Sequence, residues 1–102
     1  MKKNKVYAIL ESVDGFVDPS KNHKNELLAV ADSEMAAMQV AAEAMKGLVK
    51  KGILRDSDTN GFQFLLQEDR KTWSFQDNGR QNESGRNFSW LIQPRIVQSF
   101  GF

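Results

Sequence analysis

The chain has 102 residues, of which 40% are hydrophobic and 26% charged, with no cysteine and a formal net charge of +1. This length predicts a single domain over residues 1–102 that needs no metal or disulfide, and the lack of cysteine excludes thiol catalysis, iron–sulfur clusters and cysteine-ligated zinc. The near-neutral charge gives no long-range attraction to nucleic acid or to a strongly charged protein.

The basic N-terminus resembles the start of a secretory signal, but the apolar stretch that follows it is too short. That stretch runs from Val6 to Leu10 and ends at Glu11, whereas a signal core needs roughly 7 to 15 apolar residues. No other apolar run approaches the roughly 18 residues of a membrane span. We therefore expect a soluble, cytoplasmic protein that does not contact a membrane.

Two strands are predicted before the first helical pattern. The segment Lys5–Glu11 is rich in Val, Tyr and Ile and leads to a turn signal at Asp14-Gly15, which predicts a first strand. The segment Asp18–Asn25 combines turn formers and charges without an apolar residue, which predicts a solvated loop. A second, short strand is predicted over Glu26–Ala31.

A helix is predicted over Ser33–Lys51. Asp32 and Ser33 are good N-caps, and Gly52 is suited to the C-terminal cap. Apolar residues recur at steps of three and four, as expected for one face of a helix. This stripe consists of Met38, Ala41, Ala42, Met45, Leu48 and Val49.

The next two strands form a predicted hairpin. Phe62–Gln67 and Thr72–Gln76 both alternate large apolar with polar residues, the pattern of half-buried strands. The charged residues Glu68–Lys71 between them predict a turn, so the two strands should pair.

A polar segment and a last strand complete the chain. Asp77–Asn87 predicts an exposed loop, and Phe88–Ile92 alternates as a strand does. Pro94 lacks an N–H, so it predicts an edge position or a bulge before Ile96. The fold class is thus α+β: an antiparallel sheet of about five strands in the order ββαβββ, with one long amphipathic helix packed on one face. Because eight of the ten aromatic residues follow Gly61, the C-terminal strands should supply most of the core.

One short segment resembles half of a calcium-binding loop. Asp56, Asp58 and Asn60 occupy ligand positions one, three and five of an EF-hand loop, with Gly61 at position six. Position twelve requires a bidentate Glu and is Gln67. The plain interpretation is a turn, so no metal is predicted and calcium is only a weak candidate.

No catalytic site or cofactor is predicted. His23 is the only histidine and lies among Lys and Asn residues. Neither a nucleophile elbow nor a glycine-rich phosphate loop occurs.

Single-stranded nucleic-acid binding is the alternative functional hypothesis. Basic residues interleave with Trp73, Phe75 and Trp90, as in proteins that stack bases. The net charge of residues 61–102 is only 5 − 4 = +1, however, and alternation with polar residues is typical of core strands. Core burial is therefore the favoured interpretation of these aromatic residues.

Protein recognition is the leading hypothesis. Small cysteine-free domains of this size include inhibitors and accessory proteins of phages and mobile elements, an analogy of type and not of sequence. Such a module would occlude a surface of a larger bacterial protein complex, through a strand edge and neighbouring loops. The candidate partner-binding residues are Arg70, Lys71, Arg80, Arg86, Arg95, Phe100 and Phe102.

Overall fold

The structure, a computed structural model, describes residues 2–77 and 86–99. Within these ranges, five strands and one α-helix confirm the predicted α+β class and the element order. The elements are β1 (Lys2–Asp14), β2 (His23–Ala31), α1 (Glu34–Lys50), β3 (Phe62–Leu66), β4 (Trp73–Asp77) and β5 (Asn87–Ser99).

The strands form one antiparallel sheet in the order β2-β1-β5-β4-β3. The predicted pairing of β3 with β4 is confirmed. The centre of the sheet joins the first and last strands, which pair without interruption from Lys2 opposite Ser99 to Asp14 opposite Asn87. The edges are β2 and β3.

Helix α1 is capped at its two ends by the residues that the sequence indicated, Ser33 and Gly52. The Ser33 hydroxyl oxygen accepts the N–H of Ala36 at 3.1 Å, and Gly52 adopts a φ of +74° directly after the C-cap. The N–H of Ile53 then reaches the carbonyl of Leu48 at 3.0 Å. These contacts satisfy backbone groups that a helix leaves unpaired at its ends.

The core lies between α1 and one face of the sheet. In the predicted stripe Ala41 and Met45 are buried and Met38 is half-buried. Ala37, which the predicted stripe does not include, is fully buried in the same core. The strands contribute a set of buried residues on the same side: Ile9, Val13, Phe75, Phe88, Trp90 and Ile92. The central strand β1 therefore shares the core with the C-terminal strands, which supply less of it than their aromatic content predicted.

The predicted loop Asp18–Asn25 is wrong at its C-terminal end. A short 3-10 helix occupies Pro19–Lys21, and β2 begins at His23 instead of Glu26. β2 can include the polar residues 23–25 because Asn25 adopts a left-handed conformation, φ +52°, where the register with β1 shifts. Ser12 stabilises this bulge, since its hydroxyl oxygen accepts the Asn25 N–H at 2.9 Å.

The strands β1 and β5 are both longer than the sequence predicted, because each supplies the other with a partner along its whole length. Pro94 lies within β5 opposite Tyr7, in a register that shows no bulge. The pairing of β5 with β4 ends at Ile92 opposite Trp73. Pro94 is thus paired on one side only, so the predicted edge position is confirmed locally and the predicted bulge is wrong.

Candidate functional site

Helix α1 covers one face of the sheet, and we call the opposite face the open face. Side chains of a strand alternate between faces, so the neighbours of the core residues Ile9, Phe75 and Trp90 lie on the open face. The registers align these neighbours into rows that run across the strands. Five strands at a spacing of about 4.8 Å make each row up to about 19 Å long.

The first row on the open face is polar and uncharged. Ser12 lies opposite Ser89, Ser89 opposite Gln76, and Gln76 opposite Gln63. We call these four residues the polar row. Within the described residues, the side chains of Ser89 and Gln63 make no hydrogen bond, so their donors and acceptors are available to a partner.

The second row is largely aliphatic. It runs from Leu27 through Leu10, Leu91 and Ser74 to Leu65, and we call it the leucine row. Leu27 is 60% exposed at the edge, whereas Ser74 is buried and donates a hydrogen bond to the Oε1 of Gln76 at 2.9 Å. The two rows therefore place an apolar stripe beside a hydrogen-bonding stripe.

The centre of the open face carries no charged side chain in either row. Charges stand at its borders: Asp14 and Lys24 near the β1–β2 connection, and Arg95 beyond Gln93. An open cleft of about 720 Å³ lies over Ser12, Gln76 and Ser89 and extends to Asp14, His23 and Lys24 at one border. In a chain that is 26% charged, a solvent-facing sheet surface with an uncharged centre resembles the core of a protein interface, where charges are depleted.

The single histidine, His23 of β2, lies beside residues of β1 and β5 on the face of the sheet that α1 covers. His23 Nε2 lies 3.0 Å from Glu11 Oε1, and Nδ1 lies 3.5 Å from Glu26 Oε2. The other carboxylate oxygen of Glu11 accepts the indole N–H of the fully buried Trp90 at 2.8 Å. The two carboxylates meet different ring nitrogens, so they do not converge on one point where a metal ion could bind.

The predicted basic residues do not form one cluster where the structure describes them. Arg70 and Lys71 are exposed in the β3–β4 turn, and Arg95 lies toward the same end of the sheet. Arg86 lies before β5 at the other end, about 30 Å away along the strand, with its guanidinium 4.2 Å from the Phe16 ring. The predicted site residues Arg80, Phe100 and Phe102 lie outside the described residues.

The aromatic side chains of the strands lie on the helix face. Phe75 and Trp90 are buried there, and Trp73 packs against the same core. This matches the favoured sequence interpretation. On the open face the described strands present no aromatic ring on which a base could stack.

The residues of the half calcium loop form a 3-10 helix, Asp56–Gly61, that leads into β3. Its Asp58 carboxylate accepts the N–H of Arg55 at 2.8 Å, which stabilises the first turn. Across the described part of the chain, no group of three or more His, Asp or Glu side chains is placed to hold a metal ion.

The sequence patterns do not predict the open face, although part of its signal is visible in the strands. The strands read Leu10-x-Ser12, Ser74-x-Gln76 and Ser89-x-Leu91, with uncharged residues at the positions opposite the core. The pairing of β1 with β5 is what joins them into rows, and no local pattern predicts that pairing.

None of the α-helical segments in the described ranges is long and apolar enough to cross a membrane. The chain matches no protein-family model, no curated protein and no solved structure.

Proposed function

We propose that this chain is a non-catalytic protein-binding module that docks through its open face on a larger bacterial protein complex and occludes part of that complex. It would act in the cytoplasm as an inhibitor or accessory protein. The observation that carries the proposal is the uncharged centre of the open face. Ionised side chains are costly to desolvate, so a face made of Leu, Ser and Gln is covered by a partner at lower cost than a charged one.

The open face supports protein binding better than nucleic-acid binding. A single strand of nucleic acid requires cations along its backbone and rings for its bases. The polar and leucine rows contain neither, and the described cations Arg70, Arg86 and Arg95 stand outside them. Hydroxyl and amide side chains, in contrast, pair with the neutral backbone and side-chain amides of a protein.

The test compares a charge placed in the polar row with the same charge placed on the far side of the molecule. Ser89→Arg puts a cation at the centre of the open face, and Gln39→Arg puts one on the exposed side of α1. The two variants and the unmodified chain are immobilised and used to capture protein from a bacterial lysate, with and without nuclease. Melting curves confirm that both variants fold.

We expect one protein, retained after nuclease treatment, to be captured equally by the unmodified chain and Gln39→Arg. Ser89→Arg should bind it about tenfold more weakly or worse, because an unpaired cation would be desolvated in the interface. Capture that nuclease abolishes would favour the nucleic-acid hypothesis. Equal capture by Ser89→Arg would show that the open face is not the binding surface.

A further inference from the structure

The two edges of the sheet differ in how well they are protected against pairing with another strand. Edge strands are commonly blunted by bulges, prolines or charges. The β2 edge has two register shifts and carries Lys24 and Glu26. The β3 edge, Phe62–Leu66, pairs with β4 in an unbroken register and contains no charge, proline or glycine.

One hydrogen bond identifies the backbone groups of β3 that point away from β4. The N–H of Gln67 donates to the carbonyl of Thr72 at 2.8 Å, which makes these two residues a hydrogen-bonded pair of the antiparallel ladder. Because such pairs alternate along the ladder, the backbone groups of Phe62, Phe64 and Leu66 point away from β4. The Phe62 N–H is already bonded to the carbonyl of Thr59.

The outer edge of β3 therefore presents the carbonyl of Phe62 and both backbone groups of Phe64 and Leu66. Within the described residues no other strand lies beside them. They form a short, regular template for one more antiparallel strand.

We propose that this template pairs with β3 of a second copy of the chain, around a two-fold axis at Phe64. In this register Phe64 lies opposite Phe64 of the second copy, and Phe62 lies opposite its Leu66. The two Phe64 residues exchange N–H to carbonyl bonds, and each Leu66 N–H donates to the Phe62 carbonyl of the other copy. Two sheets of five strands become one continuous sheet of ten.

The side chains of β3 are complementary to those of a second β3. Phe62, Phe64 and the 47%-exposed Leu66 lie on one face and meet each other across the axis, apolar against apolar. On the open face Gln63 lies opposite Leu65, so no two like charges oppose each other within the paired strands.

The first test is the mass of the unmodified chain in solution, measured by light scattering over a concentration series. We expect twice the chain mass of 11.6 kDa. Leu66→Lys, which places a cation opposite Phe62 of the second copy, should shift the protein to monomer at concentrations where the unmodified chain is dimeric. Leu27→Lys, the same change at an exposed leucine of the bulged edge, should leave the dimer intact, and circular dichroism checks that both variants fold.

The second test fixes the register and does not depend on Leu66. The chain has no cysteine, so Gln63→Cys and Leu65→Cys chains can be mixed and oxidised. Directly opposed residues lie within disulfide range, so the mixed disulfide between the two variants should exceed either self-linked product. A monomeric unmodified chain, dissociation by Leu27→Lys but not by Leu66→Lys, or a predominance of self-linked products would each overturn the proposal.

Discussion

Gly61 lies against a buried carboxylate at the end of the sheet. A Cβ built at this position would be 2.5 Å from Oδ1 of Asp77, the residue opposite Phe62 in the sheet. This oxygen is buried and has no hydrogen-bond partner within the described residues. A side chain at position 61 would therefore have to displace the end of the Asp77 side chain, at the contact between the start of β3 and the end of β4.

Gly61→Ala should reduce the free energy of unfolding by about 1 kcal/mol, because the added methyl group must displace the end of the Asp77 side chain. Urea denaturation measures the change. Gly47→Ala, in the last turn of α1 with open space around it, is the matched control and should increase stability by about 0.5–1 kcal/mol. In an Asp77→Ala background the cost of Gly61→Ala should shrink; an unchanged cost would contradict the contact.

Asp69 organises the turn between β3 and β4. Its carboxylate accepts the hydroxyl of Thr72 at 2.7 Å and the N–H groups of Lys71 and Thr72 at 2.9 and 2.8 Å. The hydroxyl bond first, and then the two backbone bonds, hold the pKa of this carboxyl below the usual aspartate value of 3.8. The ionised form of the Asp69 carboxyl therefore stabilises the turn.

A carboxyl group whose pKa is lowered by folding stabilises the protein at pH values above its unfolded-state pKa. This stabilisation is lost as the pH falls through the folded-state pKa. Asp69→Asn should therefore be less stable than the unmodified chain at neutral pH, with the difference shrinking as the pH drops below 3.8. Urea denaturation across this pH range tests it. Glu68→Gln, which removes the adjacent carboxylate of the same turn, is the control, and a pH-independent difference for Asp69→Asn would contradict the account.

Helix α1 is the element whose sequence pattern matches the structure most closely. Met45 is 8% exposed against the sheet, whereas Gln39 is exposed. Met45→Asp should cost about 3 kcal/mol or more because it buries a charge without a partner. Gln39→Asp should cost much less, and thermal melts compare the two. Similar losses at both positions would show that the buried stripe is misplaced.

β3, β4 and β5 could be predicted from their alternation and β1 from its residue types, but some strand ends could not be predicted. β2 begins earlier than expected because Asn25 adopts a left-handed backbone and the Ser12 hydroxyl caps it. Ser12 lies 13 positions away in the sequence, so no reading of the local segment predicts the bulge. The long β5 likewise continues past Pro94 because β1 pairs along its other side.

At the scale of the whole molecule, the fold class follows from the sequence but the candidate site does not. Alternation predicts which residues of a strand share a face. The rows of the open face also require the order of the strands, and that order places β5 between β1 and β4. Ser12 and Ser89 become neighbours only through this long-range pairing. The same fold separates Arg86 from Arg95, because they lie toward opposite ends of β5.

The same pairing of β1 with β5 has a consequence for how the chain folds during synthesis. Lys2 lies opposite Ser99, so the two central strands can pair along their full length only after all the residues between them have been made. Until then β1 can pair only with β2, and its other edge stays unpaired while the aromatic strands emerge. Closing so long a loop is entropically costly and slow. The nascent chain is thus exposed to mispairing at β1 until β5 has been made.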